Sequence, residues 1–196
     1  EPYAGGSSVA LAMLFEGCCT DIHLNDLDKG IYSFWKSVID DTDNLIRLIQ
    51  DTPITLEEWN KQKAILFQAD SPSVLELGFA TFFLNRTNRS GILKAGIIGG
   101  KAQSGKYKLS DRFNKSDLVQ RIEKIAEKSS HIHLYHENAE DFAMLWDTYE
   151  DAAPHSIVHE LTFFIKEADG SFSRHDEVHE ERTYEVLTYD ILLEQA

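Results

Sequence analysis

"EPYAGGSSVALAMLFE", Glu1–Glu16, opens on a pair of glycines and runs directly into an apolar stretch. Gly5 and Gly6 predict a turn that lets the backbone approach a ligand, and Ser7 to Glu16 predict a buried helix behind it. "TDIHLND", residues 20–26, follows as a short strand ending in acids. A glycine turn, a helix and a strand with an acid at its end make half of a nucleotide-binding α/β unit, the acid accepting from ribose hydroxyls. Asp26 is the candidate for that acid, about 20 residues beyond the turn as this geometry expects. The spacing is not GxGxxG, and two glycines open many helices, so the turn alone does not name its ligand.

The 196 residues, 42% of them hydrophobic, suffice for one ordinary domain or for a domain plus part of another. No apolar run is long enough to predict a membrane span, and no signal peptide is visible, so the expected location is cytoplasmic. Cys18 and Cys19 are neighbours without metal-ligand spacing, which predicts reduced thiols and no metal. The net charge of −14 argues against nucleic-acid binding by the chain as a whole. The charge is uneven, however: residues 86–128 hold eleven Lys/Arg against four acids. Such a basic island can bind phosphates while the remainder stays acidic.

Apolar residues at 31, 34, 35, 38, 39, 45, 46 and 49 have helical spacing, with an interruption expected at "DDTDN", 40–44. Thr55 and Glu58 suggest a capping box opening a helix to about Gln68. "SVLELGFATFFL", 73–84, reads as a core helix. The Gly-, Asn- and Lys-rich segment after it is long for a plain connection, and such segments are often functional. Asn114 is a plausible N-cap for a helix with Leu118, Ile122 and Ile125 on one face. "HIHLY", 131–135, reads as a strand, and "NAEDFAMLW", 138–146, as the start of a helix. A change of texture places a boundary at about 152. Beyond it the tail, 153–196, reads as two strands, "IVHELTFFI" and "SFSRHDEVHEERTYEV", joined by the turn "EADGS" and followed by a terminal helix, "YDILLEQA".

Six blocks, "EPYAGGSSVALA", "LNDLDKGIYSFW", "FFLNRTNRSGI", "GGKAQSGKYK", "RFNKSDLVQRI" and "HLYHENAEDF", occur in this order. Together, over about residues 1–145, they resemble the adenine-specific DNA methyltransferases of the DNA adenine methylase (Dam) type. The resemblance implies an α/β fold: a partial class I AdoMet-methyltransferase (Rossmann-like) sheet in residues 1–152, with a helical DNA-recognition part inserted at about 50–128. It implies that Glu1, Pro2, Tyr3, Ala4, Gly5 and Gly6 line a site for S-adenosyl-L-methionine and that Asp26 binds its ribose. Asn138 falls where the family usually has an Asp near the cofactor adenine, and an amide retains one such hydrogen bond. "NRTNRSG" and the basic segment after it match the family's face for double-stranded DNA. The residue types agree: Arg86 and Arg89 can fork onto phosphate or guanine, and Asn85 and Asn88 can read adenine or phosphate oxygens. Lys101, Lys106 and Lys108 flank glycines that permit close approach to DNA.

The family's catalytic tetrad, Asp/Asn-Pro-Pro-Tyr, holds the flipped adenine and its amine. It is missing here, since Pro2, Pro53, Pro72 and Pro154 are never adjacent. The family's upstream Gly/Lys cofactor block is absent as well, so the expectation is an incomplete and inactive enzyme. The tail resembles, over a shorter span, the C-terminal strands of small-molecule class I AdoMet methyltransferases. Two further functions are therefore carried: a non-catalytic DNA-binding module, and a small-molecule methyltransferase through the tail. His175 and His179 in "HDEVHEE" lack the HExxH order, and His131 and His133 read as solvent-facing or satisfied histidines. Trp35, Trp59 and Trp146 read as helix core residues.

Overall fold

The computed structural model of the protein describes residues 1–139, 142–150, 156–166 and 169–182. It is a mixed α/β chain in two compact units: Glu1–Ser7 with Asp21–His136, and Ser8–Thr20 with the described residues from Glu137 onward. No helix among the described residues is long and apolar enough to cross a membrane.

The first unit pairs a small parallel sheet with a helical body. Strands β1 (Ile22–Asn25) and β2 (Ile132–Tyr135) run parallel in the register Ile22↔Ile132 to Asn25↔Tyr135. All four residues of β1 are buried. Helices α2 (Lys29–Asp40) and α3 (Thr42–Asp51) are separated at Asp41, inside the expected interruption. Its backbone, φ −140° and ψ 41°, leaves the helical region. Helix α4 (Leu56–Gln68) begins at Thr55, whose side chain accepts from the Glu58 N–H. The Glu58 carboxylate does not return to the cap; it accepts from Gln62 and faces Lys61 instead. A complete capping box stands one helix later, where Ser73 and Glu76 bond each other's backbone at the start of α5 (Val74–Thr87). Helix α6 (Lys115–Ala126) is capped by Asn114, as its sequence predicts.

Helix α5 is the axis of this body. It packs against α2 closely enough that a Cβ on Gly78 would stand 2.5 Å from the Ser33 carbonyl oxygen, and one on Gly30 2.5 Å from Thr81 Oγ1. Gly30, Ser33 and Ser37 on one helix and Gly78 and Thr81 on the other bring the two backbones together. Around this contact Phe82 stacks on Phe34 at 5.6 Å, and Phe113 meets Phe82 edge-on at 5.6 Å. Leu45, Ile49, Leu118 and Ile122 complete the core from α3 and α6.

In the second unit, α1 (Ser8–Glu16) is a helix and β3 (Phe142–Glu150), β4 (Ser156–Lys166) and β5 (Phe172–Arg182) form an antiparallel sheet in that order. The expected helix in "NAEDFAMLW" is corrected here, because Phe142–Glu150 is a strand. Its nine residues pair without a break along β4, from Phe142↔Ile165 to Glu150↔Ile157. Aromatic residues fit a pleated surface, and a ladder of that length outweighs the weak local helix preference of the segment. The turn between β4 and β5 places Gly170 at φ 83°, with the Ser171 N–H on Asp169 Oδ1 at 2.9 Å. The expected terminal helix, 189–196, lies outside the described residues.

Bonds from Ser73 hold the Glu76 carboxyl below its ordinary pKa of 4.5, so the cap contributes fully above that pH and is lost as pH falls through the depressed value. Ser73→Ala should cost about 1 kcal/mol in urea unfolding at neutral pH. The gap between variant and parent should narrow as the medium becomes more acidic than pH 4.5, and a gap independent of pH would exclude the carboxylate's part in the cap.

Candidate functional site

The opening loop lies along β1. The Glu1 nitrogen donates to the His23 carbonyl (2.6 Å) and the Glu1 carbonyl accepts from Asn25 N–H (2.9 Å). Ala4 N–H then donates to the Asn25 carbonyl at 2.8 Å, and Asn25 Nδ2 to the Pro2 carbonyl at 3.1 Å. These bonds carry the chain to Gly5, whose φ of 47° lies in the left-handed region that a side chain resists. The Gly5 N–H donates to Asp26 Oδ2 (2.9 Å), and its carbonyl accepts from the buried Trp35 indole N–H (3.0 Å). Ser7 closes the turn, its hydroxyl and N–H both donating to the Ala4 carbonyl.

Asp26 sits at the C-terminal end of β1 and is only 8% exposed. Its second oxygen accepts from Asp28 N–H at 2.9 Å, and its backbone carbonyl lies 2.9 Å from His136 Nδ1. Asp28 in turn caps α2 by accepting from Gly30 and Ile31 N–H groups. The Asp26 carboxylate therefore holds the glycine turn against the strand end and positions Asp28, whose own carboxylate starts the next helix. Two N–H bonds leave part of its acceptor capacity for a ligand hydroxyl. A Cβ on Gly5 or Gly6 would meet nothing within 4 Å, so the turn is open on that side. Tyr3 (78% exposed) and Leu27 (61%) stand at its flanks as exposed apolar side chains. Glu1 to Gly6 and Asp26 are thus brought together in the first unit. Asn138 is exposed and belongs to the second unit.

Nearby on β1 and β2, His23 stacks on His133 at 4.7 Å and shares a hydrogen bond with the Tyr135 hydroxyl at 3.1 Å. His133 Nε2 is 3.0 Å from Asp21 Oδ1. In the second unit His179 is buried, with Nδ1 2.8 Å from the Cys18 carbonyl, while His175 is exposed. Among the described residues no group of three or more His, Cys, Asp or Glu is arranged to hold a metal ion.

The basic segment separates into inward and outward residues. Asn88 is corrected: it is fully buried rather than turned to a nucleic acid. Its Oδ1 accepts from Trp59 Nε1 (2.7 Å) and its Nδ2 donates to the Ile92 and Leu93 carbonyls (3.1 and 2.9 Å). Asn85 is half-buried and donates to the Gly91 carbonyl at 3.0 Å. Arg86 is half-buried beside the Phe82 ring, and its Nε is buried without a hydrogen-bond partner among the described residues. Burial first, then Arg112 and Arg121, lower its pKa, although a guanidinium stays charged at neutral pH. Arg89, Lys101, Lys106 and Lys108 are exposed. Lys108 donates to the Gln103 carbonyl, and the Gln103 side chain bonds Ile98, Gly100 and Leu109. Gln103 thus organises the long Gly-rich segment from inside, a role no local pattern announces. Trp59 is a core residue as its spacing suggests, but its indole also anchors the loop through Asn88.

Asn88→Ala would strand the buried Trp59 indole N–H and remove the bonds to two part-buried carbonyls. We expect a loss of about 1–3 kcal/mol in stability. Urea unfolding followed by tryptophan fluorescence measures it, and a change within about 0.5 kcal/mol would show that Asn88 does not hold the loop.

No family model matches the chain. Two curated relatives match parts of it. A "Putative methyltransferase" of Geobacillus sp. (strain WCH70) is 41% identical over 63 residues, covering 32% of this chain and 26% of the relative. "Putative methyltransferase YqeM" of Bacillus subtilis (strain 168) is 30% identical over 57 residues, covering 29% of this chain and 23% of the relative. The chain spans about a quarter of the length of these relatives. About a third of this chain is therefore similar to proteins named as methyltransferases.

Proposed function

We propose that the first unit is part of an S-adenosyl-L-methionine-dependent adenine-specific DNA methyltransferase. Residues Glu1–Gly6 and Asp26 form its cofactor side. The exposed cations after Asn85 form its side toward double-stranded DNA. The observation that carries this reading is the Gly5–Asp26 hydrogen bond of 2.9 Å, which closes a glycine turn onto an acid at the end of a strand. The order of the six sequence blocks and the similarity to named methyltransferases support it.

The residues present fit the cofactor. Asp26 retains acceptor capacity for a ribose diol, and the Gly5–Gly6 edge leaves room for a ligand against the backbone. When bound, S-adenosyl-L-methionine supplies a methyl group on a sulfonium centre. The protein's share is to orient the nucleoside through Asp26 and to meet the DNA phosphates with the exposed Arg89, Lys101 and Lys106. No two prolines of the chain are adjacent, so it lacks the Pro-Pro-Tyr that would hold a flipped adenine.

A second reading, a methyltransferase acting on a small molecule through the tail, is favoured by one observation. The antiparallel β4–β5 pair of the tail supports it, since the tail resembles the C-terminal strands of small-molecule class I AdoMet methyltransferases.

Equilibrium dialysis with labelled S-adenosyl-L-methionine tests the cofactor side. Asp26→Ala should weaken binding by about tenfold or more, and an unchanged affinity would overturn the assignment of Asp26. With duplex DNA present, the 196-residue chain should transfer no methyl group. Measurable adenine methylation would show that Pro-Pro-Tyr is dispensable, and transfer to a small acceptor without DNA would favour the second reading.

A further inference from the structure

One cleft of the first unit lies outside the cofactor loop. It has a volume of about 340 Å³, and Lys63, Arg89, Lys101, Trp59 and Gly96 are among its lining residues. The three cations come from three places in the chain: α4, the 3-10 turn Arg89–Gly91, and the Gly-rich segment. Among the described residues no acid lines the cleft. Among the described residues none of the three makes an ion pair, although Lys61, two residues from Lys63, pairs with Glu58 at 3.5 Å. Lys63 lies over the Trp59 ring, 5.0 Å from its centroid, which holds the ammonium over the cleft.

Arg89 is anchored through its backbone. Its N–H donates to the Gly96 carbonyl at 3.0 Å, and its guanidinium covers the Gly96 backbone so closely that a Cβ there would stand 3.2 Å from Nη2. A side chain at this glycine would crowd the guanidinium. Three like charges facing one space without a counter-ion repel each other, and an anion with several oxygens relieves that repulsion. This concentration of positive charge is built into a chain of net charge −14.

We propose that this cleft is a phosphate-binding site in which Lys63, Arg89 and Lys101 grip one phosphoryl group and Trp59 floors it. The site deepens the nucleic-acid reading above and rests on that reading for the source of the phosphate, a diester of the DNA backbone. A free phosphate or phosphate monoester presents the same chemistry. Lys63 lies outside the basic island of residues 86–128, so the cleft recruits a cation that charge counting along the sequence leaves aside.

The test uses the full chain, a short DNA duplex followed by fluorescence anisotropy over a range of salt, and inorganic pyrophosphate followed by calorimetry. Lys63→Gln should weaken duplex binding by about three- to tenfold and reduce the salt slope by about one. Lys61→Gln, whose lysine is paired with Glu58, serves as the control and should change little. Circular dichroism checks that both variants remain folded. If the duplex binds but Lys63→Gln matches Lys61→Gln, the cleft proposal is overturned while the DNA reading stands. If the duplex does not bind but pyrophosphate does, and Lys63→Gln abolishes that binding, the site stands as one for free phosphates and the DNA reading fails. Binding of neither probe overturns both.

Discussion

The Asp26 carboxylate is the constraint on which the candidate cofactor side depends. A largely buried carboxylate needs hydrogen-bond donors, and here the donors are the N–H groups of Gly5 and Asp28. Satisfying it therefore fixes three things together: the glycine turn, the end of β1 and the entry to α2. Trp35 completes the arrangement by donating to the Gly5 carbonyl, so one peptide is held from both sides. The left-handed backbone at Gly5 follows from this geometry, because the turn must bring its N–H to the acid while leaving its other edge open.

The helical body solves a different problem. It must present cations to solvent from a segment rich in glycine, which orders poorly on its own. Close contact of α2 and α5 through Gly30 and Gly78 builds a rigid support. The Asn88 amide then ties the loop to that support through Trp59 and two carbonyls, and Gln103 ties its far end. With the Asn88 and Gln103 side chains bonded within the chain, Arg89 and Lys101 are left to face outward together with Lys63. The chain's acidic total is compatible with this because charges act locally: beyond about a Debye length of 8–10 Å, salt screens the acids elsewhere.

Much of the local structure was legible in the residues. Helical spacing identified α2 and α3 and the break at Asp41, and Asn114 identified the start of α6. The Ser73–Glu76 box is just as plain in the sequence as the Thr55–Glu58 pattern, yet only the former closes in both directions. The reason is competition, since Glu58 finds Gln62 and Lys61 on its own helix. In the candidate site, Asp26 and the glycine pair could be read from their order. The inward turn of Asn88 could not, because Asn88 and its neighbour Arg89 share the same polar block and differ only in which side of the loop they occupy.

The sequence by itself determined the starts of α4 and α6, the break between α2 and α3, the basic island and the order of the blocks that resemble a DNA methyltransferase. These follow from short-range rules: periodicity, caps and the count of charges along the chain. Only the tertiary structure decided that Phe142–Glu150 is a strand, that Asn88 is a buried tie, and that Lys63 joins Arg89 and Lys101 around one cleft. The physical reason is common to all three. Each depends on a partner far along the chain — β4 for the strand, Trp59 for the amide, the Gly-rich segment for Lys63 — and local pattern holds no information about which distant groups meet.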